Sequence, residues 1–202
     1  MPLTKLNNKA VANVTTLPVA LGDMVLVSSA TASSSASIEF SLGSYKEYKF
    51  FFVNIHPSVD SAIFEMNFST DNGSNYNVTK TSTSFGARNR EDGNNAYADL
   101  SYDSGRDLAQ STSNQALISR NEMGFSNDDN LCGSLNLFNA SSNIFVKHFI
   151  ANTSFVVASY APANINNFTA GYANTTSALT NIKFQMSSGN IDAGKILMFG
   201  IN

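Results

Sequence analysis

The chain has 202 residues, of which 43% are hydrophobic, 11% aromatic and only 13% charged, about half the charge of an ordinary globular domain. A net charge of -3 and twelve dispersed Lys and Arg exclude the basic footprint of a nucleic-acid binder. Ser, Thr and Asn make up about a third of the residues, which keeps the surface soluble but leaves few titratable groups for acid–base chemistry.

Residues 1–36 read as an N-terminal arm and assembly segment. The first twenty show no core periodicity, Met24-Val25-Leu26-Val27 can form one strand, and residues 28–37 are small and polar. An arm of this kind can add a strand to a neighbouring subunit. Residues 1–23 lack the basic, apolar and small-residue order of a signal peptide, and no stretch approaches the ~20 apolar residues of a membrane helix. Synthesis and folding in a cytoplasm, without membrane insertion, are therefore expected. Cys132, the single cysteine, permits no intrachain disulfide. A domain of this length buries roughly 70% of its unfolded surface without such staples.

Residues 37–202 alternate apolar and polar side chains, the period of half-buried strands. Ile38, Phe40 and Leu42 share one face of the first such run. Residues 48–55 (YKFFFVNI) are apolar on both faces and belong in the middle of a sheet or under another subunit. Phe64, Met66 and Phe68 form the next run, and Asp71-Asn72-Gly73-Ser74 reads as a hairpin turn into Tyr76-Asn77-Val78, because Asn and Gly tolerate positive φ. Residues 80–130 are polar and weakly periodic. Long loops are expected there, with short strands near Tyr97–Tyr102 and Ala116–Ile118.

Leu131, Gly133, Leu135 and Leu137 resume the alternation, and residues 139–143 turn the chain into 144–150 (IFVKHFI), again apolar on both faces. Residues 168–172 form a further strand. Ile182, Phe184 and Met186 precede turns at Ser188-Gly189-Asn190 and Asp192-Ala193-Gly194, and Ile196, Met198 and Gly200 close the chain. Regular short strands without an amphipathic helix predict an all-β fold: an antiparallel β-sandwich, jelly-roll-like, carrying an extended N-terminal arm.

Catalytic and metal signatures are weak. Asp71-Asn72-Gly73-Ser74-Asn75 opens like a calcium loop, but the twelfth position, which needs a bidentate Glu, is Ser82. Asn127-Asp128-Asp129-Asn130 offers oxygen ligands yet reads better as a solvated loop. Gly124-Phe125-Ser126-Asn127-Asp128 begins as a nucleophile elbow and lacks its final glycine. His56 and His148 stand in no metal-binding spacing. A carboxylate-pair hydrolase would have only Glu91-Asp92 or Asp128-Asp129 to use, both in loops. Eight N-x-S/T triplets follow from the abundance of these residues rather than from an export signal. No cofactor and no catalytic residue is therefore assigned. Loop tyrosines suit sugar recognition, since aromatic faces stack on sugar rings while amides reach hydroxyls. Tyr97 and Tyr102 are the candidates for glycan contact. Phe51 and Val53 in one doubly apolar strand, with Phe145 and Phe149 in the other, are the candidates for oligomer contact.

Several stretches together resemble small virion proteins of marine tailed phages: GDMVLVSSATASS at 22–34, YKFFFVNIHP at 48–57, STDNGSNYNVT at 69–79, FVKHF at 145–149, AGYANTTSA at 170–178, MSSGN at 186–190 and KILMFGI at 195–201. The likeness spans most of residues 20–202. It implies a β-rich module of a tail appendage, fibre or capsid decoration, located in the virion after folding in the host cytoplasm. The implied partners are further copies of the chain, with a trimer favoured, other capsid or tail proteins and, in a carbohydrate-binding tip, a host surface glycan.

Overall fold

The computed structural model describes residues 24–94, 98–119, 121–157 and 162–202. These form twelve strands and no helix. An eight-stranded sheet contains β1 (Met24–Thr31), β12 (Ile191–Ile201), β3 (Glu47–Pro57), β8 (Leu131–Phe138), β9 (Lys147–Val157), β10 (Ala163–Ala173), β5 (Lys80–Arg90) and β6 (Asp99–Tyr102), in that spatial order. A four-stranded sheet contains β2 (Ser37–Ser41), β11 (Asn181–Met186), β4 (Phe64–Ser69) and β7 (Gln115–Ala116). Every pairing is antiparallel, and the two sheets pack face to face as a β-sandwich.

With β5, β6, β9 and β10 set aside, the other eight strands follow a jelly-roll order. Renumbered along the chain, they lie 1-8-3-6 in the large sheet and 2-7-4-5 in the small one. The other four strands come from two insertions, one between β4 and β7 and one between β8 and β11. They widen only the large sheet.

The core follows from the period-two pattern. Tyr48, Phe50 and Phe52 of β3 point inward, as do Phe64, Met66 and Phe68 of β4 and Ile182, Phe184 and Met186 of β11, all at 3% exposure or less. Phe184 sits at the centre, with its ring 5.4 Å from Phe50, 5.3 Å from Phe52, 5.9 Å from Phe64 and 6.3 Å from Phe40. Edge-to-face and offset aromatic contacts of this kind join the two sheets.

Several sequence expectations change. Residues 80–90 form an eleven-residue strand where loops were expected, because β5 pairs along its whole length with β10. The turn at Asp71–Ser74 is real, with positive φ at Asn72 and Gly73 and a hydrogen bond from Ser74 N to Asp71 O. It does not close a hairpin, however: residues 75–79 are not a strand, and the chain crosses to the other sheet. Ile144 and Phe145 precede β9 rather than joining it, at 73% and 68% exposure. Asp192, Ala193 and Gly194 lie inside β12 at irregularities in its pairing with β3, and Gly194 takes φ 114° against the Asn54 carbonyl. Met24–Thr31, within the segment read as an arm, is the outermost strand of the large sheet, paired with β12. Residues 32–36 of that segment stay against β12, with Ala32 N–H donating to Gly194 O at 2.8 Å and Ser35 N–H to Ile191 O at 2.8 Å, and residues 1–23 lie outside the described residues.

Candidate functional site

Two surfaces gather side chains that can act on something outside the chain. The first is the outward face of the widened half of the large sheet. Strands alternate direction residue by residue, so Thr81, Thr83 and Phe85 of β5 face out while Lys80, Ser82 and Ser84 face in. Register then places Phe85 opposite Phe168 of β10 on one side and Tyr102 of β6 on the other. The Phe85 and Phe168 rings stack at 5.2 Å and 13°. Leu100 stands opposite Ala87, and Ile150 opposite Ala170. A shallow groove of about 270 Å³ runs between Thr81 and Thr83 on one strand and Ala170 and Tyr172 on the next.

The second is a polar pocket of about 290 Å³ lined by Asn54, His56, Asn127, Asn130, Asp192 and Ala193. His56 Nε2 lies 3.1 Å from the Ser126 carbonyl, so that nitrogen carries the hydrogen, and Nδ1 faces Asp192 Oδ2 at 3.8 Å. The Cys132 thiol bonds to Asn54, accepting from its backbone N–H at 3.3 Å and donating to its side-chain oxygen at 3.4 Å. Both imidazole nitrogens thus face groups other than the thiol, and the hydrogen-bonded base that activates a cysteine nucleophile is absent from these contacts. Asp129 is buried and accepts from Ser126 N–H at 3.1 Å, so it closes the 126–129 turn instead of pairing with Asp128. Among the described residues no three of His, Cys, Asp and Glu gather as metal ligands.

The remaining candidates fall in different places. Tyr97 lies outside the described residues. Tyr102 is 57% exposed at the end of β6, and its hydroxyl donates to Asp107, a bond that raises its pKa by stabilising the protonated phenol. Phe51 and Val53 face outward on β3, and Phe51 packs edge-on against Phe199 at 5.6 Å with Lys49 Nζ 5.3 Å from its ring centre. Phe145 is exposed in the loop before β9. Phe149 is the correction: it points inward, is fully buried and packs against Phe68 at 5.9 Å, so it belongs to the core and offers a partner nothing. Sequence reasoning does not single out Phe85, Phe168 or Leu100 as surface residues, while Ile150 falls within the doubly apolar 144–150 segment; the Thr81, Thr83, Phe85 alternation signals Phe85 alone and is masked by a polar inward face.

Asp92 of the carboxylate pair Glu91-Asp92 is held by Arg90 at 2.6 Å on an exposed turn. Asp71 of the calcium-like loop is satisfied internally. It accepts from the Ser69 hydroxyl and from the backbone and side chain of Asn75, bonds that lower its pKa to about 2. Comparison with protein-family models, curated proteins and solved structures finds no match.

Proposed function

We propose that this chain is a non-enzymatic structural component of a tailed phage particle, a β-sandwich module of an exterior appendage, fibre or capsid decoration. It assembles with further copies of itself, a trimer being the favoured form, and with capsid or tail proteins. The observation that carries this reading is a jelly roll whose larger sheet is widened by insertions presenting an uncharged, partly aromatic outer face. A face of that composition resembles the centre of a protein interface more than a solvated surface. The phrases resembling marine phage virion proteins supply the setting. Mass spectrometry of gradient-purified particles, followed by locating the chain in an electron-microscopy map, tests the proposal. Presence at a stoichiometry matching a symmetric appendage or decoration supports it, and absence from purified particles overturns it.

A second reading, recognition of a host surface glycan at a fibre tip, draws on the exposed Tyr102 ring, whose face can stack on a sugar while its hydroxyl is held by Asp107. Binding of the purified chain to host polysaccharide, lost in Tyr102→Ala with the fold intact, distinguishes it from plain decoration.

A further inference from the structure

The outward face of β5, β6, β9 and β10, together with that of the adjoining β8, carries no Asp, Glu, Lys or Arg at any outward position. The rest of the same sheet differs, with Glu47 and Lys49 on β3 and Lys195 on β12. The apolar members of the uncharged half adjoin one another: Leu100 69%, Tyr102 57%, Ile150 53%, Phe85 39% and Phe168 38% exposed. A large apolar side chain carries ~150–250 Å², so these five leave roughly 500 Å² open. That is the size of the largest patches on monomers, which are often functional. A standard interface buries about 800 Å² on each partner, most apolar at its centre and poor in charge there. The patch therefore supplies the centre of such an interface, and the Thr and Asn around it supply the rim.

We propose that a second copy of this chain covers this face, with Phe85 and Phe168 close to the symmetry axis of a cyclic homo-oligomer. The choice of occupant rests on charge. In a closed assembly, residues near the axis meet their own copies, so every charge there faces one of the same sign. A face whose outward strand positions bear no Asp, Glu, Lys or Arg, and whose bordering carboxylate, Asp107, is bound by the Tyr102 hydroxyl, keeps that repulsion small, whereas a partner recognised electrostatically needs an array of complementary charges that this face does not offer. The inference rests on the self-association within the proposed function, and mass in solution tests it separately from presence on a particle.

The experiment measures the native mass of the full chain at micromolar concentration, beside Phe85→Glu, Phe168→Glu and Ile150→Glu. Phe125→Glu is the control, replacing a side chain 54% exposed in the 124–130 loop. The wild type and the control should show a multiple of 21.7 kDa. The three face variants should run at the single-chain mass with unchanged β circular dichroism, whereas Phe85→Leu, which keeps the face apolar, should stay associated. Should a Glu variant fail to fold, Thr83→Cys in a Cys132→Ser background replaces it, since a cysteine near the axis forms an intermolecular disulfide on mild oxidation. A monomeric wild type, Glu face variants that stay oligomeric, or no cross-link from Thr83→Cys overturns the proposal. So does a monomer that uses this face to hold a neutral polysaccharide.

Discussion

Lys80 and Lys147 stand opposite Ala173 from the two strands that flank β10, and both point into the protein. Each is fully buried with oxygen partners rather than a carboxylate. Lys80 Nζ donates to Asn67 Oδ1 at 2.6 Å and Val78 O at 2.7 Å, and Lys147 Nζ donates to Thr175 O at 3.0 Å and Ser177 O at 2.7 Å. Burial lowers both pKa values, that of Lys80 to about 8. A lysine whose folded pKa lies below its unfolded 10.5 makes the unfolded chain bind more protons between pH 8 and 10.5, so stability rises with pH across that window. For Lys80 the gain is about 3 kcal/mol. Tyr48 and Tyr76 act in the opposite direction above pH 10, because desolvation raises their pKa values and the unfolded chain ionises first. Thermal unfolding should therefore show Tm rising from about pH 8 to about 10 and turning over above that, with the rise flattened in Lys80→Met. A wild-type Tm that is flat or declining between pH 8 and 9.5 contradicts this account. The two lysines were legible as residues and not as a buried pair, because a lysine in a polar stretch reads as solvated until the strands on either side of it are known.

Strand β5 shows why an element can escape periodicity. Its inward residues are Lys80, Ser82, Ser84, Gly86, Arg88 and Arg90, so one face lacks the apolar signal that marks β3, β4 and β11. The segment that follows β6 covers that face, and buried hydrogen bonds replace apolar contact. Asn167 Nδ2 donates to Leu117 O at 3.1 Å and Thr169 Oγ1 at 2.9 Å, Ser84 Oγ donates to Asn167 Oδ1 at 3.2 Å, and Thr153 Oγ1 donates to Leu117 O at 2.6 Å. Ser119 packs close over Gly86, where a Cβ would come within 2.3 Å of the Ser119 hydroxyl and force that side chain to turn. A layer of this kind is stable only when its members are paired, and removing one leaves its partners desolvated and unmatched. Asn167→Ala should cost about 1–3 kcal/mol in urea unfolding. Asn164→Ala, in the same strand as Asn167, removes an exposed bond to Ser154 of β9 and should cost under ~0.5 kcal/mol. Equal losses in the two variants would show that the buried layer is not a special source of stability.

At the scale of the whole molecule, Phe184 is where the two sheets meet. Its ring touches aromatic side chains from β2, β3 and β4. Phe184→Ala should lower unfolding free energy by about 3–5 kcal/mol, because the surrounding rings cannot collapse into the space left behind. A loss below about 1.5 kcal/mol, measured by denaturant titration, would place the centre of the core elsewhere. The first strand pairs with the last and the insertions pair with each other across the chain, so most contacts are non-local and folding in milliseconds to seconds suits this topology. By itself the sequence determined the β class, the strands with one apolar face, the glycine and asparagine turns and the low charge, since each is written in neighbouring residues and the intrinsic geometry of the backbone. Only the tertiary structure decided that β5 and β10 form full strands, that Phe149 faces inward, that Ile144 and Phe145 lie outside β9, and that Phe85, Phe168, Tyr102, Leu100 and Ile150 adjoin on one uncharged face. Those facts depend on which strands become neighbours, and side chains far apart in the chain share a face only once pairing and register have been set.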